Sequence, residues 1–247
     1  MSNLKDVTAP DDIPRMDIAA MQKKMAAMKA LPFIKDGMVL GLGTGSTADI
    51  FLELLADYIQ EKNYKISAIS SSDRTRQKAL SLNIPLLPMG QTTETDLCID
   101  GTDEFNDSFY LIKGGGGALL CEKIIARSAK KMIVITDERK YSKEFGQFPL
   151  PIEIVDFETG IILANIKNIH AKFASCDQFT PNIRRTKDGK IFRTDMGHMI
   201  VDVPFSGIQN VHALSDALLN IPGVVEHGLF LNEARIILTD QRELRRT

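Results

Sequence analysis

Apolar residues recur along this chain in two rhythms, one helical and one strand-like, and the switching between them predicts its elements. Ile18, Met21, Met25, Met28 and Leu31 stand at helical spacing, which predicts an opening helix with its methionines in the core. The run Val39 to Leu42 reads as a buried strand and Gly41 to Thr47 as a turn, after which Ile50, Phe51, Leu54, Leu55, Tyr58 and Ile59 mark one face of a helix. The alternation continues with strand Ile66 to Ile69, helix Arg74 to Leu82, strand Leu97 to Ile99, helix Glu122 to Ala129 and strand Met132 to Ile135. Repeated βα units of this kind predict an α/β fold, a mostly parallel sheet with helices on both faces. Ligands of such sheets bind beyond the carboxyl ends of the strands, which is where the turns after Leu40 and Ile99 fall.

The rhythm changes at Phe148-Pro149-Leu150-Pro151, where two prolines interrupt any regular element and suggest a boundary. Beyond it come strand Ile152 to Val155, helix Thr159 to Ile169, and a hairpin of Asn182 to Thr186 with Ile191 to Thr194 around Asp188-Gly189. Strand Met199 to Val203, helix Val211 to Leu219 and a last apolar run at Ile236 to Leu238 follow. The expected organisation is a first domain of residues 1–147 and 222–247, with residues 148–221 as a small α+β insertion.

Composition narrows the function. The 247 residues are 44% hydrophobic and 25% charged, and a formal charge of -2 gives no electrostatic case for nucleic acid. No apolar run approaches the roughly 18 residues of a membrane span, and the polar start lacks a signal-peptide core, so no membrane partner and a cytoplasmic location are expected. Cys98, Cys121 and Cys176 are too few and too scattered for a disulfide framework. Cys121 would be reactive only if exposed near a helix start; otherwise all three pack. The four histidines, His170, His198, His212 and His227, are too widely spaced to suggest a metal site.

Two segments carry candidate chemistry. In Gly41-Leu-Gly43-Thr44-Gly45-Ser46-Thr47, N–H groups and hydroxyls converge on a helix N-terminus, a favourable place for a phosphate. Ser46 stands where a dinucleotide fingerprint has its third glycine and no Walker lysine follows, which disfavours a nucleotide. Asp100-Gly101-Thr102-Asp103-Glu104 and Lys113-Gly114-Gly115-Gly116-Gly117, followed by Glu122, place acids, a lysine and bare backbone close together. Four glycines are costly to order, yet they let backbone N–H groups meet a ligand unshielded. Asp100 and Asp103 read equally as turn formers at a strand end, and Glu122 as a first-turn carboxylate favoured by the helix dipole.

These motifs, with Ser70-Ser71-Ser72, Glu122-Lys-Ile-Ile-Ala126, Phe148-Pro-Leu-Pro-Ile-Glu153, Ile221-Pro-Gly-Val-Val225 and Gly228-Leu-Phe230, resemble type A ribose-5-phosphate isomerases in order and spacing from about residue 16 to 240. The resemblance implies a Rossmann-like domain with a smaller α+β, ferredoxin-like second domain. It also implies a homodimer or homotetramer, without metal or organic cofactor, that interconverts ribose 5-phosphate and ribulose 5-phosphate in the non-oxidative pentose phosphate pathway. Carried over by position, Glu122 is the general base, and Thr44, Gly45, Ser46, Thr47, Asp100, Gly101, Thr102, Asp103, Lys113, Gly114, Gly115, Gly116 and Lys140 form the site for the phosphorylated pentose. Lys113 would steady an oxyanion and Asp100 would open the sugar ring, with Asp103 orienting. Arg139 could compete with Lys140, and Glu104 is expected to point elsewhere. Asp195-Met196-Gly197-His198 stands where relatives commonly show Asp-Asn-Gly-Asn, and the N-terminal stretch and Arg242 to Arg246 lie outside the resemblance. A sugar-phosphate sensor without catalysis is the main rival, but a sensor has no need of a base such as Glu122. A dinucleotide-dependent dehydrogenase is weakened by the glycine spacing.

Overall fold

A computed structural model describes residues 17–174 and 179–246, so Cys176 and the stretch before Asp17 lie outside the described residues. Helix α1 (Ile18–Ala30) starts where the Asp17 carboxylate accepts from the N–H groups of Ala19 and Ala20. The expectation for its methionines is overturned: Met21, Met25 and Met28 are exposed, at 50%, 42% and 52%, and the helix buries Ala26, Ala27 and Ala30 instead. The physical reason is proximity. The alanine face lets α1 settle closely on the helix that follows the first strand, so the bulkier methionine stripe, nearly opposite on the wheel, is left outside.

The first βα units are β1 (Val39–Leu42), α2 (Ser46–Lys62), β2 (Ser67–Ser70), α3 (Asp73–Ser81) and β3 (Leu97–Asp100). A short hairpin, β4 (Glu104–Phe105) and β5 (Leu111–Ile112), leads to α4 (Leu119–Ser128) and β6 (Met132–Ile135). Next come β7 (Leu150–Ile154), α5 (Thr159–Phe173), β8 (Met199–Val203), α6 (Val211–Leu219) and β9 (Val224–His227). The chain ends with β10 (Leu229–Phe230), β11 (Ala234–Leu238) and β12 (Glu243–Arg245).

The main sheet runs β12-β11-β6-β3-β1-β2, parallel throughout except for β12, which pairs antiparallel with β11 and absorbs part of the Arg-rich end. Because β2 lies on one side of β1 and β3 on the other, the winding reverses between β1 and β3, and a crevice opens at their carboxyl ends. The small sheets are β10-β5-β4 and β8-β7-β9, the latter packed against α5 and α6 over an apolar core that includes Ile152, Ile166, Val201 and Leu214. Pro151 does not break the chain as its type suggested. It is the second residue of β7, where its carbonyl accepts from Gly228 and its missing donor falls at the strand's beginning. The hairpin at Asp188-Gly189 is reduced to a bridge between Arg185 and Ile191, with Gly189 at φ +84°. No helix among the described residues is long and apolar enough to cross a membrane.

Candidate active site

The crevice is built from the two turns that the winding brings side by side. Leu42 pairs with Ile99, and the next residue, Gly43, donates its N–H to the Ile99 carbonyl. A Cβ on Gly43 would lie 1.9 Å from Asp100 Oδ1, so only glycine lets the β1 turn pass the β3 carboxylate. Asp100 is buried and accepts from the N–H groups of Thr44 (3.0 Å) and Gly101 (2.7 Å), tying the two turns together. Gly45, at φ +114°, then caps α2, whose first residues Ser46 and Thr47 face the crevice with the positive end of the helix.

Thr44, Gly45, Ser46, Thr47, Gly101, Thr102, Asp103, Lys113, Gly114, Gly116, Glu122 and Lys140 line one cleft, so most residues selected from the sequence meet there. Asp100, which is buried, and Gly115, which is exposed, are not among its lining residues. Several lining groups already have partners: the Thr44 hydroxyl bonds to those of Ser71, Ser72 and Thr75, and the Thr102 hydroxyl donates to the carbonyls of Glu104 and Ile112. Gly115 donates to Asp103 Oδ2 at 2.7 Å, which fixes the glycine loop over the acidic turn. Arg139 is held by Asp137 at 2.8 Å, leaving Lys140 as the cation of its turn on the cleft wall.

The floor is a carboxylate, an ammonium and a second carboxylate. Lys113 Nζ lies 2.9 Å from Asp100 Oδ2, 3.2 Å from Glu122 Oε1 and 2.7 Å from the Gly101 carbonyl, with all three side chains buried. Burial alone would lower the Lys113 pKa, but Asp100 and Glu122 outweigh it and hold the ammonium charged. For Glu122 burial dominates, aided by Asp100 and Asp103 and opposed by Lys113, and its carboxyl is pushed up to about 8. Its Oε2 is buried with no hydrogen-bond partner among the described residues, so one oxygen remains free to take a proton. Burial also pushes the Cys98 and Cys121 thiols up, so neither is a reactive thiolate.

Some participants were not anticipated. Lys23, on α1, lines the same cleft and donates to Ser46 Oγ at 2.9 Å. A signal existed: Lys23, Ala26, Ala27 and Ala30 form an i, i+3, i+4, i+7 set, placing a lysine on the buried alanine face. Glu104 also has a task, accepting from the N–H groups of Gly146 and Phe148, and the Phe148 ring lies 5.9 Å from Lys140 Nζ. His198 meets Glu153 at 2.9 Å away from the cleft.

A doubly wound sheet whose switch-point cleft joins a helix N-terminus, three lysines and a buried carboxylate with one unpartnered oxygen has the build of an α/β enzyme of small anionic substrates. Residues 67–243 match the family model for ribose 5-phosphate isomerase A (phosphoriboisomerase A). The chain is 47% identical over 220 residues to ribose-5-phosphate isomerase A of Brucella suis, covering 89% of this chain and 93% of that one. It superposes on ribose 5-phosphate isomerase from Plasmodium falciparum with TM-score 0.83 at 34% identity, covering 92% and 99% of the two chains. A D-ribose-5-phosphate isomerase in complex with phospho-erythronic acid matches with TM-score 0.82 at 33% identity over 91% and 97%. The chain belongs to the ribose 5-phosphate isomerase A family, and that membership supports isomerisation of ribose 5-phosphate.

Proposed function

We propose that the chain interconverts D-ribose 5-phosphate and D-ribulose 5-phosphate through an enediolate, with Glu122 as the general base. The observation that carries this reading is the free Oε2 of Glu122 on the cleft floor, in a carboxyl whose pKa of about 8 suits proton transfer near neutrality. The phosphate lies against the N-terminus of α2 with Ser46, Thr47, Lys23 and Lys140. Its sugar then extends toward Lys113 and the glycine loop. Glu122 removes the C2 proton of the open aldose and returns it to C1, while the O1 oxyanion is steadied by the Lys113 ammonium and by glycine N–H groups. O1 takes a proton and the O2 hydroxyl gives one up as the carbonyl moves to C2, so the exchange is balanced with no net gain or loss of protons. Asp100, whose Oδ1 is engaged by two N–H groups, serves best as the counter-charge that holds Lys113. Ring opening then falls to Asp103, the acidic side chain besides Glu122 on the cleft wall.

Residues 1–147 with 222–247 form the catalytic domain in this reading and 148–221 the small one, in a cytoplasmic homodimer or homotetramer. The test is conversion of ribose 5-phosphate in chelator, beside Glu122→Gln, with release of C2 deuterium to solvent followed. Turnover by wild type and loss of both signals in the variant are expected. An inert wild type sinks the isomerase reading, and a near-normal Glu122→Gln removes the base.

A further inference from the structure

The glycine loop is gripped from outside the main sheet by a residue no motif singled out. Arg184, beside the reduced hairpin, donates from Nη1 to the carbonyls of Gly114 (3.0 Å) and Gly115 (3.2 Å). Its own aim is fixed twice. Nε donates to Asp202 Oδ2 at 2.8 Å and Nη2 to Asp202 Oδ1, a bidentate pair on β8, and the guanidinium lies 5.7 Å from the centre of the Phe192 ring. Phe192 in turn fills the space above Gly117, where a Cβ would come within 2.3 Å of the ring.

In a planar trans peptide the C=O and N–H point in opposite directions. With the Gly114 carbonyl turned to Arg184, the N–H of the same unit, that of Gly115, points the other way and meets Asp103. The next unit follows the same rule. Its Gly115 carbonyl also faces Arg184, so the Gly116 N–H is turned from the arginine toward the cleft that Gly116 lines. A cation on both carbonyls also polarises the two peptides and strengthens their N–H groups as donors.

We propose that Arg184 is a positioning residue for the reaction, setting the direction and strength of the Gly116 N–H as an oxyanion donor from the side of the small sheet. This rests on the isomerase reading above. Arg184 touches no reacting atom and lies apart from the phosphate end, so its loss lowers kcat and spares phosphate binding. A misaimed donor costs about 10- to 100-fold, somewhat less than a deleted one.

Steady-state kinetics of Arg184→Met and Arg184→Lys, with inhibition by inorganic phosphate and thermal melting, test it. Expected are a kcat lowered about 10- to 100-fold in the methionine variant, an intermediate loss with lysine, and a phosphate inhibition constant within about threefold of wild type. A kcat within threefold of wild type overturns the proposal, as does a parallel loss of phosphate inhibition and thermal stability, which marks simple packing. If Arg184→Met does not fold, Asp202→Asn decides, since it keeps the arginine but loosens its aim: lowered kcat with unchanged phosphate inhibition upholds the proposal, and unchanged kcat overturns it. An inactive wild type, by contrast, removes the isomerase reading itself.

Discussion

Replacing Asp100 by Asn tests the electrostatics of the cleft floor most directly. Lys113 Nζ lies 2.9 Å from Asp100 Oδ2 and 3.2 Å from Glu122 Oε1, so those oxygens are no more than about 6 Å apart. Two like charges at about 6 Å and an effective dielectric of about 20 repel by about 3 kcal/mol, equivalent to about two pH units. Asparagine keeps the shape, and its carbonyl can still accept from Thr44 and Gly101, so the principal loss is charge. Removing that charge favours the ionised Glu122 and also leaves Lys113 to pair with it alone, so both consequences have the same sign. With Glu122 as the proposed base, kcat/KM of the wild type should rise with pH through about 8. In Asp100→Asn the midpoint of this acid limb moves down by about one to two pH units, and the plateau falls because a less basic carboxylate transfers protons more slowly. The assay is kcat/KM for ribose 5-phosphate from pH 5 to 10, which reports groups of the free enzyme. A limb that stays in place or moves up refutes the reasoning.

Glu122→Gln should gain melting temperature over wild type as pH rises, because a carboxyl raised from 4.5 to about 8 contributes stability below pH 4.5 that is lost by about pH 8. Melts at pH 5 and pH 8.5 check whether the gap opens in that direction. Lys23→Met should raise the KM for ribose 5-phosphate about 10- to 100-fold with a smaller change in kcat, the loss expected for one charge-assisted hydrogen bond; an unchanged KM removes Lys23 from the phosphate site. In Glu104→Gln one of two backbone donors, the buried Gly146 or the half-buried Phe148, loses its acceptor, which should cost about 1–3 kcal/mol in urea denaturation. Gly117→Ala meets both a positive φ and the Phe192 ring, so it should destabilise by at least about 1 kcal/mol and depress turnover, and near-neutral behaviour would show that the loop has another resting form.

The first half of the fold was legible because strand and helix periodicities alternate there, and β1 and β3 are marked a second time by the glycine turns that follow them. Leu42 and Ile99 pair near the ends of strands that the winding rule brings together, so the meeting of Gly43 with Asp100 follows from the order of elements. What could not be read were contacts set by distance across elements. The grip of Arg184 on Gly114 needs a hairpin from the small sheet to land on the loop, and no local spacing encodes that landing. The misreading of α1 is more instructive, because its information was present and was weighted wrongly. Methionines at helical spacing suggest a core by hydrophobicity alone, whereas close packing is set by which face lets backbones approach, and that face belonged to Ala26, Ala27 and Ala30. A lysine on such a face cannot be accommodated in the apolar contact, since burying an unpaired ammonium is costly. It must extend past the end of the contact to a partner, and on a helix packed beside α2 that end is the turn at Gly45, where Lys23 finds Ser46.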